Sequence, residues 1–254
     1  QVVEIEVPES WKSCEDEGLF TPEVKGGKDD VVAFVKNIQA KVNAQEGNTL
    51  PVSTFTDYAD GSTPSGSAAY EKRGIAVDIP VWQSENCIQC NRCAYVCPHA
   101  VIRPVALTED ELAKAPEGTK AIDMIGMPGM KFTMTVSAYD CTGCGSCVNV
   151  CPGKKGEKAL VMANMEENAA EQDIFDFGRE IEVKPEVVAK FKPETVKGSQ
   201  FKQPLLEFSG ACAGCGETPY AKLITQLFGD RMYIANATGC SSIWGNSSPS
   251  TPYT

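Results

Sequence analysis

Four cysteines in the pattern C-x2-C-x2-C-x3-C, followed by proline, occur twice in this 254-residue chain: Cys87, Cys90, Cys93 and Cys97 before Pro98, and Cys141, Cys144, Cys147 and Cys151 before Pro152. Each cysteine of the second run lies 54 positions after its counterpart, so a ligand motif is repeated as a unit. Disulfide frameworks instead scatter cysteines through short secreted chains. Thiols three apart in a turning loop point their sulfurs at a common centre, and soft thiolates select iron–sulfur clusters or zinc. A structural zinc site takes its four ligands in two pairs, which suits three evenly spaced cysteines and an offset fourth poorly.

The offset fourth cysteine starts a new direction of chain, and in two-cluster ferredoxins that cysteine ligates the other cluster. The spacing therefore predicts crossed ligation of two [4Fe–4S] clusters, one by Cys87, Cys90, Cys93 and Cys151, the other by Cys141, Cys144, Cys147 and Cys97. Three further cysteines, Cys212 and Cys215 in a C-x2-C among small residues and Cys240 in Thr238-Gly239-Cys240-Ser241-Ser242, are one ligand short of a closed site. A third cluster is expected there, with its fourth ligand beyond Thr254. A redox pair or a buried structural set are the alternatives. Cys14 stands among acidic residues, which disfavour a thiolate, and reads as a bystander. His99 follows a completed run and reads as a hydrogen-bonding or surface residue.

Composition excludes several classes. Apolar residues make up 42% and charged residues 22%, the balance of a globular chain. A net charge of −11 argues against nucleic acid. No apolar run approaches the roughly 18 residues of a membrane span. No basic-then-apolar leader follows Gln1, so a cytoplasmic location is expected. Residues 87–165 carry 8 basic and 7 acidic groups, against 7 and 15 in residues 1–86. Thiolate clusters carry net negative charge and favour such a block.

Local patterns place these motifs. Val2–Val7 is strand-like. Asp29–Gln45 reads as a helix with Val31, Val35, Ile38 and Val42 as its apolar stripe. Residues 46–69 read as irregular and Ile75–Trp82 as a strand. Thr108-Glu109-Asp110-Glu111 is a capping box. Lys131–Ala138 and residues 158–163 read as strands, and Pro185–Phe191 as a helical turn. Thr218 is expected to cap a helix with Pro219 at its first position and Leu223, Ile224, Leu227 and Phe228 as its apolar residues, stopped by Gly229. Met232–Ala235 reads as a buried strand. Helix feeding strand suggests the opening of an α/β domain.

Taken together, these residues resemble the pyruvate:ferredoxin (flavodoxin) oxidoreductases over essentially the whole chain. Tyr70-Glu71-Lys72-Arg73-Gly74 is similar to the family's EKR module. The twin runs resemble its ferredoxin-like domain, and Cys212, Cys215 and Cys240 its proximal cluster. Asn236–Gly245 looks like the start of its thiamine diphosphate domain. The resemblance implies an α+β chain: 1–27 the end of a preceding domain or linker, 28–83 the EKR-type module, 84–200 the ferredoxin-like two-[4Fe–4S] domain with an insertion, and 201–254 the start of an α/β thiamine-diphosphate-binding domain.

It further implies an enzyme that decarboxylates pyruvate with coenzyme A to acetyl-CoA and CO2 and sends electrons through three [4Fe–4S] clusters to ferredoxin or flavodoxin. Glu217 and the Cys240 segment are implied to line the site of thiamine diphosphate and Mg2+. For Glu217 a capping carboxylate is the alternative. A homodimer is implied, with no nucleic-acid or membrane partner. Motifs for the magnesium–diphosphate site and for pyruvate binding are expected outside this stretch. The competing readings are a ferredoxin-type carrier subunit, a different 2-oxoacid oxidoreductase, and a zinc-stabilised interaction module.

Overall fold

A computed structural model describes residues 28–247 and 250–254; the strand-like Val2–Val7 and Cys14 lie outside the described residues. Five strands form, β1 (Asp78–Trp82), β2 (Ile102–Leu107), β3 (Ile122–Asp123), β4 (Lys131–Val136) and β5 (Leu160–Asn164). β1 pairs antiparallel with β5, with Trp82 opposite Leu160. β4 is the centre of a second antiparallel sheet between β2 and β3, with Pro104 opposite Met134. Proline is tolerated there because β2 is an edge strand and has no donor to lose on its open side. The two sheets enclose one core in which Ile79, Trp82, Ile102, Phe132, Met134, Val136, Leu160 and Phe175 are buried beside Cys93, Cys97, Cys141 and Cys147. The thiols are thus part of the core rather than appended to it.

The repeat seen in the cysteines extends to the backbone. The helices Arg92–Val96 and Ser146–Val150 each follow a loop with two left-handed residues, at Gln89 and Asn91 (φ 55 and 59) in the first and Gly143 and Gly145 (φ 67 and 71) in the second. The second run uses glycine, for which this conformation is free of strain. The first instead uses side chains that earn their strained backbone. Gln89 Nε2 donates to the Asp123 carbonyl (2.7 Å), Gln89 Oε1 accepts from the Ile125 N–H (2.8 Å), and Asn91 Nδ2 donates to the Lys197 carbonyl (2.9 Å). These bonds fasten the insertion between the runs, and the Val196–Ser199 helix, onto the first cysteine loop.

Several local expectations hold. The helix begins at Asp29 and runs to Asn43 with a π-helical middle, burying Val31, Val35 and Ile38, whereas Val42 is exposed. The capping box forms, with Thr108 Oγ1 accepting from the Glu111 N–H and Glu111 Oε2 from the Thr108 N–H. Residues 46–69 contain three short 3-10 turns. Others are corrected. Met232–Ala235 forms no strand, and Tyr233 and Ile234 are exposed; an apolar run becomes a strand only where a neighbour supplies its hydrogen bonds. The helix Thr218–Phe228 ends before Gly229 as expected, but Thr218 lies inside it and Glu217 takes the N-cap position. Its buried face is Thr218, Lys222 and Thr225, while Ile224, Leu227 and Phe228 are exposed.

Candidate metal centres and the loop beside them

The local turns place the two quartets around two voids. Cys87, Cys90, Cys93 and Cys151 line one, walled also by Trp82, Met134 and Leu160. Cys97, Cys141, Cys144 and Cys147 line another, with His99, Val101, Ile102 and Thr142. Each group therefore combines three cysteines of one run with the last cysteine of the other. All eleven described cysteines are free thiols. Among the described residues no three His, Cys, Asp or Glu side chains converge on a single-ion position, so the thiols surround a space rather than a point.

The electrostatics of these thiols follow from burial. Desolvation pushes Cys87, Cys93 and Cys147 above the usual thiol range, and Cys141 up to about 12, with neighbouring thiols adding to the rise. Thiols in such a place become thiolates only when a cation arrives to balance them. Backbone donors await that charge at matching positions: the Gln89 N–H lies 3.4 Å from Cys87 Sγ, the Gly143 N–H 3.4 Å from Cys141 Sγ and the Ala159 N–H 3.4 Å from Cys151 Sγ.

Unpartnered polar atoms on the walls test the fit. Trp82 Nε1 borders the first void and is otherwise without a partner, but it is near enough to Cys87 to favour its thiolate. Thr142 Oγ1 borders the second and is buried without a partner. A buried donor without an acceptor costs about 1–3 kcal/mol. A sulfur-rich anionic cluster supplies such an acceptor, and the donor set of four soft thiols suits iron. His99 is buried rather than at the surface; its Nδ1–H donates to the Ser209 carbonyl at 3.0 Å.

Sequence patterns did not reveal Trp82 or Lys222 as part of these sites. Lys222 is buried, and its ammonium donates to the carbonyls of Ala94 (2.7 Å) and Cys97 (2.9 Å), closing the end of the Arg92–Val96 helix from a distant segment. Burial lowers its pKa to about 8. The legible signal was the small polar stripe Thr218, Lys222 and Thr225 at helical spacing, opposite the more obvious apolar residues.

Cys212 and Cys215 share one turn, with the Cys215 N–H donating to the Cys212 carbonyl (3.1 Å). Burial raises the Cys215 thiol, but the Thr218 hydroxyl and the N–H groups of Thr218 and Glu217 beside it outweigh that and leave its pKa below the ordinary value. Thr218, expected as a helix cap, is buried, and its hydroxyl has no hydrogen-bond partner. Cys240 is exposed at the start of the short Cys240–Ser242 helix, and no hydrogen bond joins it to Cys212 or Cys215 among the described residues. Glu217 is exposed and makes no capping bond, which removes the capping alternative for its carboxylate. The loop lies against the second void: a Cβ added to Gly214 would stand 3.5 Å from Cys144 Cβ.

The doubled turn-and-helix unit with its crossed thiol quartets defines a ferredoxin-type dicluster domain, and the family model described as a 4Fe-4S dicluster domain matches residues 86–155. A second model, EKR, a domain of unknown function, matches residues 22–76. The chain is 53% identical over its whole length to a pyruvate-flavodoxin oxidoreductase of Enterobacter agglomerans, covering 20% of that protein. It is 56% identical over 99% of its length to the pyruvate:ferredoxin oxidoreductase of Moorella thermoacetica, covering 21% of it. A pyruvate dehydrogenase [NADP(+)] of Cryptosporidium parvum is 52% identical over 89% of this chain and is covered to 11%. Along nearly its whole length the chain is thus similar to one stretch of pyruvate:ferredoxin and pyruvate-flavodoxin oxidoreductases, and it spans about a fifth of the length of the first two relatives. No helix among the described residues is long and apolar enough to cross a membrane.

Proposed function

We propose that this chain is the electron-transfer part of a 2-oxoacid oxidoreductase that converts pyruvate and coenzyme A to acetyl-CoA, CO2 and a proton, with two electrons leaving for ferredoxin or flavodoxin. A [4Fe–4S] cluster supplies one-electron redox chemistry when bound. The observation that carries the reading is the closeness of Gly214 to Cys144, where a Cβ added to the glycine would stand 3.5 Å from Cys144 Cβ, because it puts the Cys212–Cys215 loop beside the second void. A bare carrier has no use for such a loop.

Cys212, Cys215 and Cys240, with a fourth ligand elsewhere, would hold a third cluster. Cys141, Cys144, Cys147 and Cys97 would hold the next along the route, and Cys87, Cys90, Cys93 and Cys151 the outermost. Glu217 and the Cys240 segment would face thiamine diphosphate and its Mg2+, by resemblance to the family. Lys222 places a buried cation beside Cys97 and Cys93, and a nearby positive charge favours the more negative, reduced state of a cluster. Relatives named for flavodoxin, ferredoxin and NADP(+) share this segment, which supports a role in internal transfer rather than in choosing the acceptor. The division at residues 83/84 and 200/201, a homodimer and a cytoplasmic location belong to the same proposal.

The full-length enzyme containing this segment, purified without oxygen, tests the reading. It should contain about twelve irons per chain, and pyruvate with coenzyme A should bleach its visible absorbance. Bleaching by dithionite but not by pyruvate would leave only a carrier, and a colourless, zinc-loaded protein would leave an interaction module.

A further inference from the structure

We infer that Glu71-Lys72-Arg73 is a strut that fixes the gap between the second void and the Cys212–Cys215 loop, and so sets how fast electrons cross it. The inference rests on the proposed electron route and gives a role to the triplet that names a domain of unknown function.

Each of the three side chains faces a different part of the chain. Glu71 Oε1 accepts from Asn43 Nδ2 (3.4 Å), and Glu71 Oε2 lies 3.8 Å from Arg73 Nε, so this carboxylate anchors the triplet to its own module. Lys72 Nζ lies 2.5 Å from Asp140 Oδ2, immediately before Cys141, and the pair is nearly buried. The Gly74 N–H reinforces the same edge by donating to the Tyr139 carbonyl (2.8 Å). An Arg73 guanidinium N–H donates to the Ser209 carbonyl (3.2 Å), three residues before Cys212. That carbonyl also accepts from His99 Nδ1, two residues after Cys97. One carbonyl on the approach to the loop is therefore held from two sides.

The path between these ties is short and stiff. The ring of Phe208, next to Ser209, is buried and lies 4.9 Å from Lys72 Nζ and 5.2 Å from the Arg103 guanidinium carbon. Arg103 pairs in turn with Glu207. Lys72 and Phe208 both hold left-handed backbone (φ 42 and 55), a conformation that non-glycine residues keep only where their surroundings dictate it. On the other side of the loop Lys222 ties the following helix to Ala94 and Cys97. The Lys72–Asp140 pair, with little exposure, holds geometry far better than an exposed pair would, and the 39% exposed Arg73 side chain adds its bond to Ser209 from the rim. The contacts of Lys72 and Arg73 fall beside cysteines of both redox sites, where a merely stabilising pair has no reason to concentrate.

The test uses the full-length holoenzyme with Lys72→Met and Arg73→Met, and Arg73→Lys as the conservative exchange. Iron content and dithionite-reduced spectra should match the parent. Reduction of the ferredoxin-domain clusters by pyruvate and coenzyme A, followed by stopped-flow absorbance, should slow severalfold, because electron transfer weakens as the gap between redox centres widens. Magnetic coupling between clusters in the chemically reduced enzyme, read by electron paramagnetic resonance, should weaken, and Arg73→Lys should restore much of both. If the Met variants fail to load iron, Asp140→Asn, which keeps the volume but removes the charge facing Lys72, should show the same weakened coupling. Fully loaded variants, whether Met or Asn, with unchanged coupling would overturn the strut. A parent enzyme that pyruvate does not reduce would overturn the proposed function instead, while the coupling still judges the strut.

Discussion

Replacing Cys97 with alanine in the full-length enzyme should remove the cluster of the second run and leave that of the first. The reason is the crossing of the quartets. Cys97 closes the void lined by Cys141, Cys144 and Cys147, whereas its own run faces the void closed by Cys151. A cubane deprived of one thiolate loses a corner, and the free energy of metal binding in such domains is also folding free energy. Iron should fall by about four per chain, and the surviving signal should be the one that Cys151→Ala abolishes. The converse variant should show the opposite pattern. Cysteines of both quartets, Cys93, Cys97, Cys141 and Cys147, are buried in one core, so some broadening of the surviving signal is expected in each variant. Loss of the first-run cluster on replacing Cys97 would mean that each run holds its own.

Gly153→Ala should be nearly as damaging, although the change is one methyl group outside any cysteine. Gly153 lines the first void with φ 60, and a Cβ there would lie 1.8 Å from the Glu157 carbonyl oxygen and 2.8 Å from Lys158 Cα. Those atoms are backbone and cannot swing away. They belong to a tight turn in which Lys154 and Glu157 exchange both backbone hydrogen bonds (2.9 and 3.0 Å), just before the Ala159 N–H that meets Cys151 Sγ. The loop must open, at a cost of about 3 kcal/mol or more, and Cys151 must move with it. Iron analysis should show selective loss of the first-run cluster. Gly118→Ala is the control: φ is 86 but nothing lies within 4 Å, so it should cost about 1 kcal/mol and leave all clusters in place. Equal behaviour of the two variants would show that the turn does not hold Cys151.

The cysteine runs made the sites legible because ligand spacing is a local constraint, satisfied within a dozen residues by the turn and helix that follow. The capping box at Thr108 and the strands around Phe132 and Leu160 were legible for the same reason. What stayed hidden depends on distant partners. Gln89 and Asn91 adopt a conformation that suits glycine because their amides reach Asp123, Ile125 and Lys197. Periodicity showed that the Thr218–Phe228 helix has an apolar side, but not which side would be covered; the buried one carries Lys222. The same gap explains Met232–Ala235, apolar enough for a strand but unpaired. The roles of Lys72 and Arg73 emerge only when Asp140 and Ser209 are brought to them.

Anomalous diffraction at the iron edge, from crystals of the full-length enzyme grown without oxygen, tests the central claim most directly. Strong iron density should fill both voids, one bonded to the sulfurs of Cys87, Cys90, Cys93 and Cys151 and the other to those of Cys97, Cys141, Cys144 and Cys147. Single zinc ions, cystine bridges, or clusters each bound by one uninterrupted run would contradict it.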